Sequence, residues 1–289
     1  MRSGLLCSTL AAAILISGAA SAADLGRPAP APVYTKAPIA PQPLWTGFYA
    51  GVEGGYGWSS DPTVSFSNND PAAARLFTLN PIPAISFPDR GAFGGVTAGY
   101  NWQIGRNWLV GLEADFSWSD IKGSGSNSIL VFGSGEPLGT NVNQKLDWFG
   151  TVRPRIGWLA SDNLLLYGTG GLAYGRIEES TNTANTGPLD LGPAFFSGFV
   201  ISCPAHSTCY AGYSTKDMMG WSAGAGTEYR VPGTAASLKL EYLFVDLGPG
   251  PTLNSVNTFI VPPGVPSSVS GSVSRSEFHT VKAGLNWHF

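Results

Sequence analysis

Past residue 24 the chain has no run near the ~20 continuous apolar residues that a membrane-spanning helix needs. Charge is also scarce. Charged residues make up 12% of the sequence, about half the roughly one-quarter share of an ordinary soluble domain. The 16 basic and 19 acidic side chains nearly cancel, so no basic surface points to a nucleic-acid partner. Segments of Leu, Ala, Glu and Lys at helical spacing are hard to find, whereas 38 glycines and 9 tryptophans are spread along the chain. With only three cysteines and three histidines, cofactor or metal centres of several ligands find little support, and none is expected. Sparse charge, many aromatics and no long apolar run leave one way to live in lipid. That way is a closed β-barrel, whose backbone groups all pair between strands.

The first residues have the layout of an export signal. Arg2 supplies a positive start, Leu10 to Ser17 an apolar stretch, and Ala20-Ser21-Ala22 an A-x-A cleavage site. A membrane anchor is the alternative, but the apolar stretch is short and small residues follow it. Cys7 lies too early, and without a small residue before it, to be a lipoprotein attachment site. The expected organisation is therefore a signal peptide over 1–22, a Pro/Ala-rich periplasmic segment over 23–45, and an outer-membrane β-barrel domain over 46–289. Export also bears on Cys203 and Cys209, which form a C-x5-C pair in a Pro/Ser-rich segment. In an oxidising compartment such a pair reads as a disulfide that staples a loop. A metal or redox role would have to recruit His206 between them.

From Thr46 onward, apolar and small or polar side chains alternate with the period of a strand. The alternation predicts eight strands near 46–59, 91–104, 108–119, 144–159, 164–178, 217–231, 235–247 and 276–289. Short turns (105–107, 161–163 and 232–234) follow the second, fourth and sixth strands, and long segments follow the others. Short turns on one side and long loops on the other are the asymmetry of outer-membrane barrels. The predicted fold is an all-β, eight-stranded antiparallel up-and-down transmembrane barrel with short periplasmic turns and long extracellular loops.

Parity then sorts each strand into two faces. Phe48, Val52, Tyr56 and Trp58 oppose Glu53, and Trp108, Leu112, Phe116 and Trp118 oppose Glu113 and Asp115. Leu146, Trp148, Val152, Ile156 and Trp158 oppose Lys145, Asp147, Arg153 and Arg155; Leu238, Leu240 and Tyr242 oppose Lys239 and Glu241. In the last strand Val281, Leu285, Trp287 and Phe289 oppose Lys282 and His288. The aromatic face carries almost no charge, as lipid demands, because an ionised residue at mid-depth costs roughly 2–4 kcal/mol. The fifth strand, LLLYGTGGLAYGRI, has no clean parity and its facing stays open. Trp58, Trp118, Trp148 and Trp221 collect at the loop ends, and Trp102, Trp108, Trp158 and Trp287 at the turn ends. Two such bands match the two membrane interfaces; a soluble sandwich gives no reason for them.

Eight strands enclose a cylinder that side chains alone can fill. The inward set holds Glu53, Glu113, Asp115, Asp147, Glu228 and Glu241 with Lys145, Arg153, Arg155, Lys239 and Lys282. Counting from strand ends places Glu113 level with Arg153 and Arg155, Glu228 with Lys239, and Glu53 with Lys282. Buried charges need partners, so a plugged, salt-bridged interior is expected, in which Arg153→Ala strands an acid. The same residues would line the channel of a porin. Pro154, mid-strand between the two arginines, suggests a bulge.

Several stretches resemble a known family: DLGRPAPAPVYTKAP, WTGFYAGVEGGYGW, GGVTAGYNWQIG, WLVGLEADFSWSDI, FGTVRPRIGW, YGTGGLAYG, WSAGAGTEYRV, LKLEYLFVDLG and the ending VKAGLNWHF. They are similar to the small outer-membrane proteins of alphaproteobacteria, the RopB-like or 25-kDa outer-membrane immunogenic family, within the OmpA-like eight-stranded barrels. The resemblance implies abundant, antigenic envelope proteins without enzymatic activity. It also implies that Val281, Leu285, Trp287 and the terminal Phe289 form the signal read by the barrel-assembly machinery. The first and last loops, about 60–90 and 248–275, are longer than in the shorter members.

The leading functional expectation is a structural surface protein that sits in outer-membrane lipid and supports envelope integrity. Lys122, Lys216 and Arg275 near the outer rim are candidates for contact with lipopolysaccharide phosphates. The alternatives are a small-solute porin and an adhesin or receptor that meets host or phage ligands at its loops. An enzyme would have to use His206, His279 or His288, none of which sits in a recognisable motif. A lipocalin-like binder would need its apolar face inside, opposite to the parity found.

Overall fold

The computed structural model describes residues 45–59, 61–68, 80–132, 134–196, 199–257 and 268–289. The expected signal peptide, and all of the Pro/Ala-rich segment but Trp45, lie outside these residues. Among the described residues there is no helix. The strands are β1 (Gly47–Ser59), β2 (Thr63–Asn68), β3 (Ile85–Ser86), β4 (Arg90–Ile104), β5 (Trp108–Leu130), β6 (Pro137–Ser161) and β7 (Leu164–Asn185). They continue with β8 (Leu191–Phe196), β9 (Phe199–Cys203), β10 (Thr208–Arg230), β11 (Ala236–Asp246), β12 (Thr252–Asn257), β13 (Ser268–Val273) and β14 (Glu277–His288).

Twelve strands form one antiparallel sheet, and eight of them close into a ring in the order β1-β4-β5-β6-β7-β10-β11-β14 and back to β1. These eight match the eight segments of alternating parity. Gly105 and Gly233 adopt left-handed φ values of 64° and 75° in the tight turns before β5 and β11, a conformation in which a Cβ would be strained. The outward faces carry the apolar residues that parity put there. Phe48, Leu112, Trp118, Ile156, Leu238 and Trp287 are all exposed.

The register also settles the open strand. In β7 the odd residues Leu165, Tyr167, Ala173, Ile177 and Glu179 are buried, while Leu166 and Leu172 face outward.

Four readings need correction. Lys145 and Asp147 do not point into the charged interior, and Leu146 does not face out. The pairing slips between Leu146 and Trp148 against β7, and between Trp118 and Ile121 against β6. Each slip is a β-bulge that reverses parity above it. Leu146 therefore turns inward at 5% exposure, while Lys145 and Asp147 pair with each other at 2.7 Å on the flank. Pro154, by contrast, makes no bulge. Val152 pairs with Leu172 and Arg155 with Thr169 at one constant offset, so no residue is inserted. The Thr169 hydroxyl donates to the Pro154 carbonyl at 3.0 Å. The third concerns the long loops, which carry strands among their described residues. β5, β6, β7 and β10 run 22 to 25 residues, about twice the 9–11 needed to span. Beyond them β12, β13, β2 and β3 extend the sheet. The fourth is Trp45, expected as the last residue of the Pro/Ala-rich periplasmic segment but packed into the barrel. It is 1% exposed and closes the turn end of the interior, its indole N–H donating to the Asp162 carbonyl at 3.0 Å.

Candidate functional site: the charged interior

The interior is layered along the barrel axis. At the turn end Trp45, Leu109, Leu159, Leu165 and Tyr167 pack together. Toward the loop end lies a second apolar layer that includes Phe93, Leu146, Phe149, Ile177, Leu243 and Phe278. Between them, alternate residues of the ring strands deliver polar side chains, because every second position of a closed sheet points inward.

Nine charged residues meet in this middle layer: Glu53 from β1, Glu113 and Asp115 from β5, Arg153 and Arg155 from β6, Glu228 from β10, Lys239 and Glu241 from β11, and Lys282 from β14. Glu53 is 6% exposed and the other eight 3% or less. Arg153 spans three acids, reaching Glu113 at 3.0 Å, Asp115 at 2.7 Å and Glu241 at 2.9 Å. Arg155 bridges Glu113 at 3.3 Å and Glu228 at 3.1 Å. Lys282 touches Glu53 at 3.0 Å, Glu241 at 3.2 Å and Asp115 at 3.3 Å. Glu228 and Lys239 are indeed cross-strand neighbours. Their charges nevertheless go elsewhere, since the Lys239 ammonium meets Glu113 at 3.0 Å and Glu53 at 3.3 Å. Each carboxylate thus faces at least one cation.

Neutral groups extend the network, and sequence reasoning overlooked most of them. The Tyr49 hydroxyl donates to Glu113 and the Tyr167 hydroxyl to Glu241, both at 2.7 Å. The Arg155 guanidinium lies over both rings, 4.6 Å from the Tyr49 centroid and 5.3 Å from that of Tyr167. Asn101 accepts two hydrogen bonds from Arg155. Thr151 donates to Asp115, and Ser237 and Asn286 donate to Glu228. Tyr49 shares parity with Glu53 and was legible on that ground; Tyr167 sits on the strand whose parity was blurred by glycine. Room for these rings comes from inward glycines. A Cβ at Gly226 would lie 2.6 Å from the Tyr167 hydroxyl oxygen and 2.7 Å from the Leu240 carbonyl.

The other sequence candidates are placed apart from this cluster. Cys203 and Cys209 form a disulfide, with Cα atoms 5.4 Å apart, between the end of β9 and the start of β10. His206 lies in the turn it closes, at a φ of 53°, and among the described residues no group of His, Cys, Asp and Glu is arranged to hold a metal. Val281, Leu285, Trp287 and Phe289 line the outer face, and the Phe289 amide donates to the Phe48 carbonyl at 2.9 Å. At the rim Lys122 is paired with Asp120 at 3.0 Å, Arg275 holds Asp246, and Lys216 is exposed. Above the tryptophans of the loop end, burial raises Glu179 to about 8 and Asp89 to about 7. The charge of Asp89 adds to the first shift and that of Asp61 to the second.

A closed ring of strands, apolar and aromatic outside and ionic inside, defines the class: a β-barrel whose solvent is lipid. The chain belongs to the family described as the outer membrane protein beta-barrel domain, whose model matches residues 8–289. It is an outer-membrane protein. It is 34% identical over 247 residues to the 31 kDa outer-membrane immunogenic protein of Brucella melitensis, covering 85% of this chain and 84% of that one. It is 30% identical over 190 residues to a 22 kDa outer membrane protein of Rhizobium leguminosarum, covering 63% and 71%. Among solved structures, the outer membrane protein OprG of Pseudomonas aeruginosa aligns over 84% of this chain and 97% of its own. That alignment has 13% identity and a TM-score of 0.40.

Proposed function

We propose that this protein is a closed, non-enzymatic, eight-stranded transmembrane barrel. Its turns lie in the periplasm, its extended strands stand outside the cell, and its role is structural support of the envelope with an antigenic surface. The observation that carries this reading is the ionic middle layer, capped by apolar side chains on both sides. A conducting pore needs hydrated charges along an open path. Here four cations and five carboxylates pair with one another at 0–6% exposure. The similarity to an outer-membrane immunogenic protein of Brucella supports the antigenic surface.

The histidines support the non-enzymatic part. His279 is on the outer face, in contact with the Tyr242 hydroxyl at 2.7 Å and stacked on Trp58. Ser237, His288 and Glu228 lie within reach of one another, but Ser237 is fully buried. Its hydroxyl lies 2.9 Å from His288 Nε2, and both approach Glu228 Oε1. In a catalytic triad the base stands between nucleophile and acid; here serine and histidine share one acceptor, and Trp45 packs edge-on to His288 at 5.7 Å.

Planar-bilayer recording of the refolded chain is the decisive test. No steady conductance is expected, whereas a reproducible open level would replace this reading with that of a small-solute porin. A deletion strain should gain sensitivity to detergents and polymyxin, and complementation should reverse it.

A further inference from the structure

Above the loop-end tryptophans, adjacent strands bring oxygen atoms to one level. Gln144 of β6 pairs with Gly123 of β5 on one side and with Glu179 of β7 on the other. Asp89, one residue ahead of β4, leans into the gap over Gly123, where its Oδ1 takes the place of a Cβ. Ser59 holds it there: the Ser59 amide donates to the Asp89 carbonyl at 2.8 Å, and the Asp89 amide donates to the Ser59 hydroxyl at 2.9 Å. All three side chains are buried, at 5% exposure for Asp89, 7% for Gln144 and 1% for Glu179. Yet among the described residues Asp89 Oδ1, Gln144 Oε1 and both carboxylate oxygens of Glu179 have no hydrogen-bond partner.

Buried carboxylate oxygens left without a counter-charge are costly. The interior five are each matched by Lys or Arg; these two are not. Gln144 and Glu179 line an open cleft of about 420 Å³ together with Lys122 and Lys145. Those lysines are engaged by Asp120 at 3.0 Å and Asp147 at 2.7 Å. The unsatisfied atoms are all oxygens, two of the three groups are acids, and the cleft leaves space for water. That donor set suits a hard cation with irregular, partly hydrated coordination, which favours Ca²⁺ over the strictly octahedral Mg²⁺. We propose that Asp89, Gln144 and Glu179 form a binding site for a divalent cation of the Ca²⁺ type, which clamps the segment before β4 to β6 and β7 at the loop end.

The test is calorimetric titration of CaCl₂ into the chelator-treated full chain refolded in detergent, with the heat-dependent shift in gel mobility as the check on folding. Wild type should bind one Ca²⁺ per chain saturably. Glu179→Gln and Asp89→Asn should each weaken binding at least tenfold, whereas Asp217→Asn, at an exposed rim ion pair, should leave it unchanged. If Glu179→Gln does not fold, Gln144→Ala takes its place. Absence of saturable binding to folded wild type overturns the proposal. So does binding that survives the substitutions at full strength, because the ion would then sit elsewhere.

Discussion

At the scale of single residues, Arg153 is the side chain on which the interior turns. Its guanidinium contacts Glu113 and Asp115, two residues apart on the neighbouring β5, and Glu241 of β11. A buried charge whose partner is removed costs about 3–5 kcal/mol, more than the pair itself is worth, because the remaining ion is left desolvated. Arg153→Ala should therefore lower the stability measured by urea unfolding in lipid vesicles by about that amount. An unchanged midpoint would show that the acids find other partners or protonate at no cost. Gly226 makes the opposite kind of demand. A methyl there has to clear the Tyr167 hydroxyl oxygen at 2.6 Å and, both at 2.7 Å, the Tyr167 Cζ and the Leu240 carbonyl oxygen. Overpacking of this kind costs about 1–3 kcal/mol. Gly226→Ala should show that loss in the same unfolding measurement.

At the scale of elements, the disulfide belongs to the β9–β10 connection and not to the ring. It joins residues only 6 apart, and a loop that short restricts the unfolded chain by roughly 2 kcal/mol in the chain-entropy picture. Reduction should therefore lower the barrel's stability by no more than about 2 kcal/mol while exposing residues 203–209 to proteolytic nicking; a collapse of the whole barrel would contradict this. Elements also show where sequence reading succeeds and where it stops. Most ring strands were legible because lipid on one side and ions on the other keep their alternation; β7, whose parity glycine blurs, was legible as a strand but not in its facing. Glu113 opposite Arg153 could be read by counting, since no bulge lies between the turn and that level. Lys145, Asp147 and Leu146 could not, because one inserted residue reverses every side chain beyond it. β2, β12 and β13 were read as loops for a different reason. Strands such as TVSFSN and TLNSVN alternate over only six residues and are set among Pro, Ser and Asn, so their signal is too short to rise above turn composition. Glu179 and Asp89 were missed on the same account: each lies just past the end of an expected strand or inside an expected loop.

At the scale of the whole molecule, the outer surface fixes how much lipid the barrel wants. Trp108 and Trp118 on β5 are ten residues apart on one face, as are Trp148 and Trp158 on β6 and Phe48 and Trp58 on β1. No register slip interrupts the first two pairs. At about 3.4 Å per residue this is about 34 Å along the strand, or about 26 Å along the membrane normal for a tilt of about 40°. A bilayer thicker than this band has to thin around the protein, and a thinner one exposes apolar side chains to water. Each ångström of mismatch costs a fraction of a kcal/mol. Because the interior is a rigid set of ion pairs between strands, the ring cannot shear to a new tilt without separating Arg153 from its three acids, so the bilayer has to adapt. Stability in vesicles of graded acyl-chain length should therefore peak where the hydrocarbon thickness is about 26 Å and fall on both sides. A midpoint that rises steadily toward the thickest bilayers would mean that the tryptophan bands do not mark the interfaces. The Arg153→Ala variant adds a second reading of the same experiment. With the lock removed the ring is free to change tilt, and its thickness optimum should broaden even as its maximum falls.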